Sequence, residues 1–363
     1  MTATAIAPAT TSSSTTAGHL PKWAPWALLL GCFVVSAAVF AVANSGGDPA
    51  DFNIAMTLVV GLLLYMALIF VVSSVAESRR HATDRLMTAL VSAAFVVALL
   101  PLISLLFTVV VNGLTRFDPE FFSFSMRNVV GEGGGAIHAI YGTLLITLGA
   151  TIISVPIGLM TSIYLVEYGE GRRLARGITF LVDVMTGIPS IVAGLFIYSV
   201  FSLIFGPGTR MGIMGSLALS VLMIPVVVRG SEELLRIVPN ELREAAYALG
   251  VPKYLTIIKV VIPTAIAGIT TSIMLAISRV IGETAPLLLT VGLVQSVNLN
   301  MFSGQMATLP VFSYMQAKYP GIPADAFIER AWASALTLIV IVMVLNLLAR
   351  VIAKVFAPKT NGR

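Results

Sequence analysis

The chain has 363 residues, of which 57% are hydrophobic and 11% charged, where an ordinary soluble domain carries roughly 25% charged residues. That balance excludes a water-soluble globular protein and reads as an integral membrane protein. The formal net charge is +5, with one cysteine and three histidines. A lone Cys32 excludes an internal disulfide, and His19, His81 and His138 lie too far apart to form a zinc cluster, so no metal site is expected.

Residues 1–21 are dominated by Thr, Ser, Ala and Pro and carry no positive charge, so they lack the basic region of a secretory signal. A disordered tail over 1–24 is expected. Eight apolar runs follow, at 25–43, 53–76, 86–112, 137–166, 178–205, 211–229, 261–292 and 331–355. Each is long enough for a roughly 30 Å hydrocarbon core. The expected fold class is therefore all-α, a polytopic transmembrane helical bundle.

The connecting segments set the orientation. With the N-terminus inside, Arg79, Arg80, Arg85, Arg172, Arg173, Arg176, the stretch Arg229 to Lys259, and Arg350, Lys354, Lys359 and Arg363 fall on the cytoplasmic side. Only Arg116, Arg127, Arg210, Lys318 and Arg330 fall outside, so positive residues favour this topology and place both termini in the cytoplasm. The net charge then reflects topology and is not read as a nucleic-acid signal.

The first two spans, 25–76, are joined by the short Asn44-Ser-Gly-Gly-Asp-Pro49 connection and form a hairpin whose expected role is packing or lipid contact. Segments 113–136 and 293–330 are the long outer loops. The first holds Gly131-Glu-Gly-Gly-Gly135, and the second Pro310, Pro320 and Pro323 with Tyr314 and Tyr319. The glycine-rich loop reads equally as a contact for a soluble binding protein and as a flexible connection.

Between the sixth and seventh runs lies a charged, interrupted segment, 231–260, that reads as two short helices. Ser231 is positioned to cap the first, with Glu232 and Glu233 in the opening turn where the helix dipole favours negative charge, and Pro239 ends it. Asn240 is positioned to cap the second, Glu241 and Glu244 lie near its positive end, and Gly250 is the expected left-handed stop before Pro252. Leu242, Ala245, Ala246 and Leu249 recur at helical spacing, so this short helix has an apolar face that needs a groove in this chain or another.

Here the sequence resembles a known family. Glu244-Ala245-Ala246, Gly250 and Pro263 stand at the spacing of the cytoplasmic "EAA" motif of ABC importer permeases, with Val260 and Ile262 as mild apolar departures. The resemblance implies that this loop, including Pro252, inserts into a cleft on an ATP-hydrolysing subunit. The next run, Ala276-Ile-Ser-Arg279-Val-Ile-Gly-Glu283-Thr-Ala-Pro286-Leu-Leu-Leu, resembles the "R-x-x-GETAPLL" stretch of the PstA-type phosphate importer permeases. Their sister permeases share the Gly-Glu-Thr but not usually the Ala-Pro-Leu-Leu. Similarity extends from about Leu86 to Phe356 through Pro156-Ile-Gly, Ile163-Tyr-Leu-Val-Glu-Tyr168, Gly187-Ile-Pro-Ser-Ile-Val-Ala-Gly194 and Ile224-Pro-Val-Val-Val-Arg229. It implies a type I ABC importer permease fold of six core spans over 86–356, preceded by the extra hairpin 25–76 and followed by a tail, 357–363.

Arg279 lies about halfway along its apolar run, where an arginine costs about 2.5 to 3.5 kcal/mol on insertion scales. Glu283 is its i+4 neighbour and is expected to neutralise it. One reading is an ion pair that closes the bundle. The other, implied by the resemblance, is that the guanidinium fork meets phosphate in transit while Glu283 holds it when the path is empty. Arg229 reads either as a snorkelling interfacial arginine or as part of the exit path. Asp183 either pairs locally or lines the inner vestibule. Pro156, Pro189, Pro225 and Pro286 fall within apolar runs and are expected to kink them.

No G-x-x-x-x-G-K-[ST] loop occurs, so the chain is not expected to be its own ATPase or to bind a cofactor. The resemblance implies a second permease as heterodimer partner, two ATPase subunits that bind ATP and Mg, and an extracytoplasmic phosphate-binding protein. Rival readings are a permease for another oxyanion, molybdate or sulfate, and an ion-coupled secondary transporter. The last predicts matched broken helices in two inverted halves, which the sequence does not display.

Overall fold

The computed structural model describes residues 20–43 and 53–356, with side chains described as far as residue 351. Residues 1–19 of the expected tail, the 44–49 connection and the 357–363 tail lie outside the described residues. The chain divides into two compact units, Met1–Leu106 and Phe107–Arg363.

The first unit holds α1 (Ala24–Ala43), α2 (Ile54–Ala76) and most of α3 (Arg79–Gly113). Gly61 lets α1 and α2 approach closely, because a Cβ there would stand 2.5 Å from the Phe33 ring. The Ser36 hydroxyl donates to the Thr57 carbonyl at 2.7 Å across the same contact, and Cys32 is buried on α1. Beyond the end of α2, the buried Glu77 carboxylate accepts from the Leu20 amide (2.8 Å), the Ser73 hydroxyl (2.8 Å) and Arg85 (2.7 Å). Burial opposes its ionisation, but these three donors outweigh it and hold the carboxyl below its ordinary range. Trp26, Leu30, Leu63 and Phe95 are all exposed, a surface suited to hydrocarbon and costly in water.

In the second unit the chain runs through α4 (Pro119–Ser123), α5 (Ile137–Ile163), α6 (Arg173–Thr186), α7 (Ser190–Phe205), α8 (Gly212–Ile237), α9 (Asn240–Ala248), α10 (Lys253–Thr256), α11 (Ile262–Val280), α12 (Ala285–Thr290), α13 (Leu309–Lys318) and α14 (Ala324–Phe356). A π-helical turn, Tyr164–Tyr168, prolongs α5, and another, Ile257–Val261, joins α10 to α11. The centre is the seam between α5 and α8, which small residues bring together: a Cβ on Gly149 would meet Ser216 Oγ at 2.6 Å, and one on Gly158 would meet Val227 at 2.7 Å. Ser216 donates to the Ile146 carbonyl at 3.0 Å, so the seam is hydrogen-bonded as well as packed. Ile146, Leu219, Met223, Ala276, Leu287 and Val311 bring α11, α12 and α13 onto it in one buried cluster.

Seven helices among the described residues are long and apolar enough to cross a membrane. An eighth span exists only if α6 and α7 count as one, and these are bent by 107°. The run over 178–205, expected as one span kinked at Pro189, is instead broken into two helices at Gly187-Ile188-Pro189. Pro189 pushes the residue before it out of helical geometry and offers no N–H to continue the ladder.

Two further expectations change. α8 is unbroken from Gly212 to Ile237, so Ser231 is a buried mid-helix residue and not a cap. The polar Ser-Glu-Glu looks like a helix start, but Glu232 takes Arg229 at 2.9 Å (i, i+3) and Arg236 at 2.8 Å (i, i+4), which favour continuation. Pro239 does end this helix, through an extended Val238. The 261–292 run is also not one helix. α11 stops at Val280, and α12 starts afresh with Pro286 in its first turn. A helix continuing through Pro286 would lose a bond and clash with the carbonyl of residue 282. Pro156 and Pro225, in contrast, lie inside α5 and α8.

Candidate functional site

Arg279 closes the last turn of α11, and Glu283 lies in the turn beyond it. Because the helix ends between them, the expected i+4 ion pair is not formed: among the described residues, neither side chain makes a hydrogen bond or ion pair. Both line one cavity of about 210 Å³ together with Thr186 and Ser190 from the α6–α7 break and Pro225 and Val226 from α8. The Thr186 hydroxyl is already committed to the Val182 carbonyl at 2.9 Å. The guanidinium fork is therefore not committed to another protein group, beside a carboxylate that is equally unengaged. Such a cavity offers donors to an oxyanion without first having to break a bond.

Arg229 is held differently. Its guanidinium binds Asp183 of α6 and also Glu232 at 2.9 Å, and Glu232 in turn binds Arg236 at 2.8 Å. Asp183, Arg229, Glu232 and Arg236 thus form a neutral chain tying α6 to α8. Of the two alternatives for Asp183, local pairing describes its contact in this structure. Arg229 is bonded to two carboxylates in this structure.

The segment after α8 folds as its punctuation predicts. Gly250 adopts φ +74°, its amide donates to the Tyr247 carbonyl at 2.9 Å, and the Val251 amide donates to the Ala246 carbonyl at 3.1 Å. This is a Schellman stop, which only glycine makes without strain. Pro252 then opens α10. Asn240 is the first residue of α9 and makes no side-chain cap. On the apolar face Ala246 is buried, while Leu242 (41%), Ala245 and Leu249 (83%) are exposed, and Glu244 is exposed beside them.

Sequence reasoning missed what anchors this segment. Arg243 of α9 donates to Glu167 Oε1 from Nε at 3.0 Å and from Nη2 at 2.9 Å, and to the Leu235 and Val238 carbonyls at 3.0 and 2.6 Å. One guanidinium therefore satisfies the open end of α8 and grips the π-helical turn after α5. Lys253 donates to the Glu167 carbonyl and stands 4.9 Å from the Tyr168 ring centre. The only local signal was Glu167 itself, a charge at the end of an apolar run whose burial demands a cation.

The glycine-rich loop is likewise fastened by arginines from two other parts of the chain. Arg330, 1% exposed, donates from Nη1 to the Gly131 and Gly133 carbonyls at 2.8 and 2.9 Å. Arg116 donates to the Gly134 carbonyl at 2.9 Å.

A bundle of apolar helices long enough to cross a membrane, with a cavity lined by Arg279 and Glu283 at a helix break, defines a multi-pass membrane protein. The family model described as "Binding-protein-dependent transport system inner membrane component" matches residues 154–362. The chain is 47% identical over 279 residues to the phosphate transport system permease protein PstA 1 of Mycobacterium tuberculosis, covering 76% of this chain and 90% of the relative. To PstA of Yersinia pestis it is 38% identical over 289 residues, covering 78% and 94%. A structure of the MetNI methionine ABC transporter in inward-facing conformations superposes with TM-score 0.51 at 19% identity, covering 61% of this chain and 96% of that one, and supports the fold alone. The chain belongs to the binding-protein-dependent inner membrane components, and among them to the PstA permeases. It is a multi-pass membrane permease subunit and not a catalytic one.

Proposed function

We propose that this chain is the permease subunit of an ATP-driven inorganic phosphate importer. The observation that carries the reading is the placement of Arg279 in a chain of the PstA family: an uncommitted guanidinium beside Glu283 on one cavity at a helix break. Arg279 would bind the anion in transit, and Glu283 would limit how tightly it is held. Arg229 would stand at the inner end of the path, where a passing anion competes with the exposed Asp183 carboxylate for it.

The exposed face of α9, with Glu244, Ala245, Ala246, Gly250 and Pro252, would dock on an ATPase subunit that binds ATP and Mg. The working complex would contain a second permease, two ATPase copies and an extracytoplasmic phosphate-binding protein in a bilayer. The hairpin 25–76 would be accessory to the permease domain 86–356, and with α6 and α7 together forming an eighth crossing both termini would be cytoplasmic. Closure of the ATPase pair would move the helices attached to α9 and alternate the access of the cavity.

The test is tracer phosphate uptake in cells lacking their own phosphate importers. Arsenate should compete and sulfate should not. Competition by sulfate or molybdate in place of arsenate would assign another oxyanion, and uptake unaffected by ATP depletion would remove the ATP-driven reading altogether.

A further inference from the structure

The Glu167–Arg243 knot joins three elements at one point: the π-helical turn after α5, the end of α8, and α9. Glu167 has a side chain 5% exposed and Arg243 one 12% exposed, so neither charge is left to water. The guanidinium spends its donors on the carboxylate, on the Leu235, Val238 and Pro239 carbonyls and on Asn240 Oδ1, a geometry that a lysine cannot reproduce. Lys253, the first residue of α10, adds a bond to the Glu167 carbonyl. α9 is thus held to the π-helical turn after α5 by Arg243 in its own first half and by Lys253 of the following α10.

The far end of α5 is equally committed. Ile137 donates to the Phe124 carbonyl at 3.3 Å, the His138 ring meets the Phe312 ring edge-on at 5.1 Å, and Thr143 Oγ1 accepts the Leu309 amide at 2.8 Å. These contacts tie α5 to α13 and to the segment carrying the glycine-rich loop. Between the two ends, Ile137–Tyr168 forms one helical stretch of 32 residues, or about 48 Å at 1.5 Å per residue.

We propose that Arg243 and Glu167 are positioning residues that lock α9 to α5, so that α5 carries the state of the ATPase-facing helix to the loops at its opposite end, and the state of those loops back. The inference rests on the reading that α9 docks on an ATPase. It adds the route and the two residues that close it. The π-helical turn at Tyr164–Tyr168 is a local departure from regular helix of the kind that recurs at functional sites.

The test uses the assembled complex of both permeases and the ATPase, reconstituted with the phosphate-binding protein. Two readouts are taken: basal ATP hydrolysis, and its stimulation by the loaded binding protein. In Glu167→Leu with Arg243→Met, where no buried charge is stranded, stimulation should fall by about fivefold or more while basal hydrolysis stays within about twofold, the span of an allosteric coupling lost. A merely structural pair would change the yield of complex but not the ratio of stimulated to basal hydrolysis. Wild-type stimulation in the assembled double variant would overturn the proposal. If that variant does not assemble, Glu167→Gln, which keeps an acceptor but not the charge, takes the same assay with the same two outcomes. Failure of the wild-type chain to recruit any ATPase would reject the docking reading itself, separately from this route.

Discussion

Arg279 and Glu283 stand four positions apart on the wall of one cavity without touching, because α11 ends at Val280 between them. A buried ion pair makes each partner depend on the other, so that removing one strands a charge. No such dependence exists here. Arg279→Met should cost little stability, within about 0.5 kcal/mol as for an exposed site, yet stop uptake. A cation that meets a desolvated anion is worth about 2–5 kcal/mol, so uptake per assembled complex should drop by more than about thirtyfold. The double variant Arg279→Met with Glu283→Leu should also assemble without transporting. Uptake near wild type in it would leave both residues without a role in the path. Arg279→Lys keeps the charge and loses the planar fork, so partial uptake is expected.

Gly250 holds φ +74° in open space, with nothing near enough to clash with an added Cβ. The effect of replacement is therefore purely conformational. Gly250→Val should cost about 1–2 kcal/mol in the left-handed region and misdirect Pro252 and α10, reducing co-purification of the ATPase while membrane insertion survives. Gly250→Asn, which tolerates this region better, should retain most of the recovery.

Arg330 feeds the Gly131 and Gly133 carbonyls from a fully buried position. Arg330→Met leaves both acceptors unpaired at about 1–3 kcal/mol each. The expected result is a lower Tm, with new protease cleavage confined to Gly131–Gly135. Cleavage spread evenly over the chain would mean that the loss is global and that Arg330 does not act through this loop.

Glu77 supplies a pH dependence whose sign follows from its contacts. Its folded pKa lies below the ordinary carboxylate value, so the stability it contributes is complete above the unfolded pKa and is lost as pH falls through the folded one. The Tm difference between wild type and Glu77→Ala should accordingly be full at neutral pH and shrink in strongly acidic buffer. A difference that grew on acidification would contradict this assignment.

The parts of the structure written in local chemistry were readable in advance. Gly250 before Pro252 announced a left-handed stop because no other residue makes that turn cheaply, and Pro239 marked the end of α8. Apolar length gave the helical bundle. What failed depended on neighbours distant in sequence. Ser231 offered a capping signal as good as many real ones, and the close approach of Gly230 to Ser272 and the flanking ion pairs, which accompany the continuous helix, come from neighbours that signal does not specify. The 261–292 run kept its apolar character past the point where the helix stops, so hydropathy hid the end that separates Arg279 from Glu283. Glu167 and Arg243 are 76 positions apart, and nothing in either neighbourhood specifies the other.

The burial of Cys32, the sole thiol of the chain, has a practical consequence. The unit from Phe107 onward contains no native sulfhydryl, so a spin label or fluorophore attached to one introduced cysteine, at Leu249 on α9 or at Val130 beside the glycine-rich loop, would report from that position without background. Distances between two such probes, followed through a turnover cycle, would reveal whether the opposite ends of α5 move together.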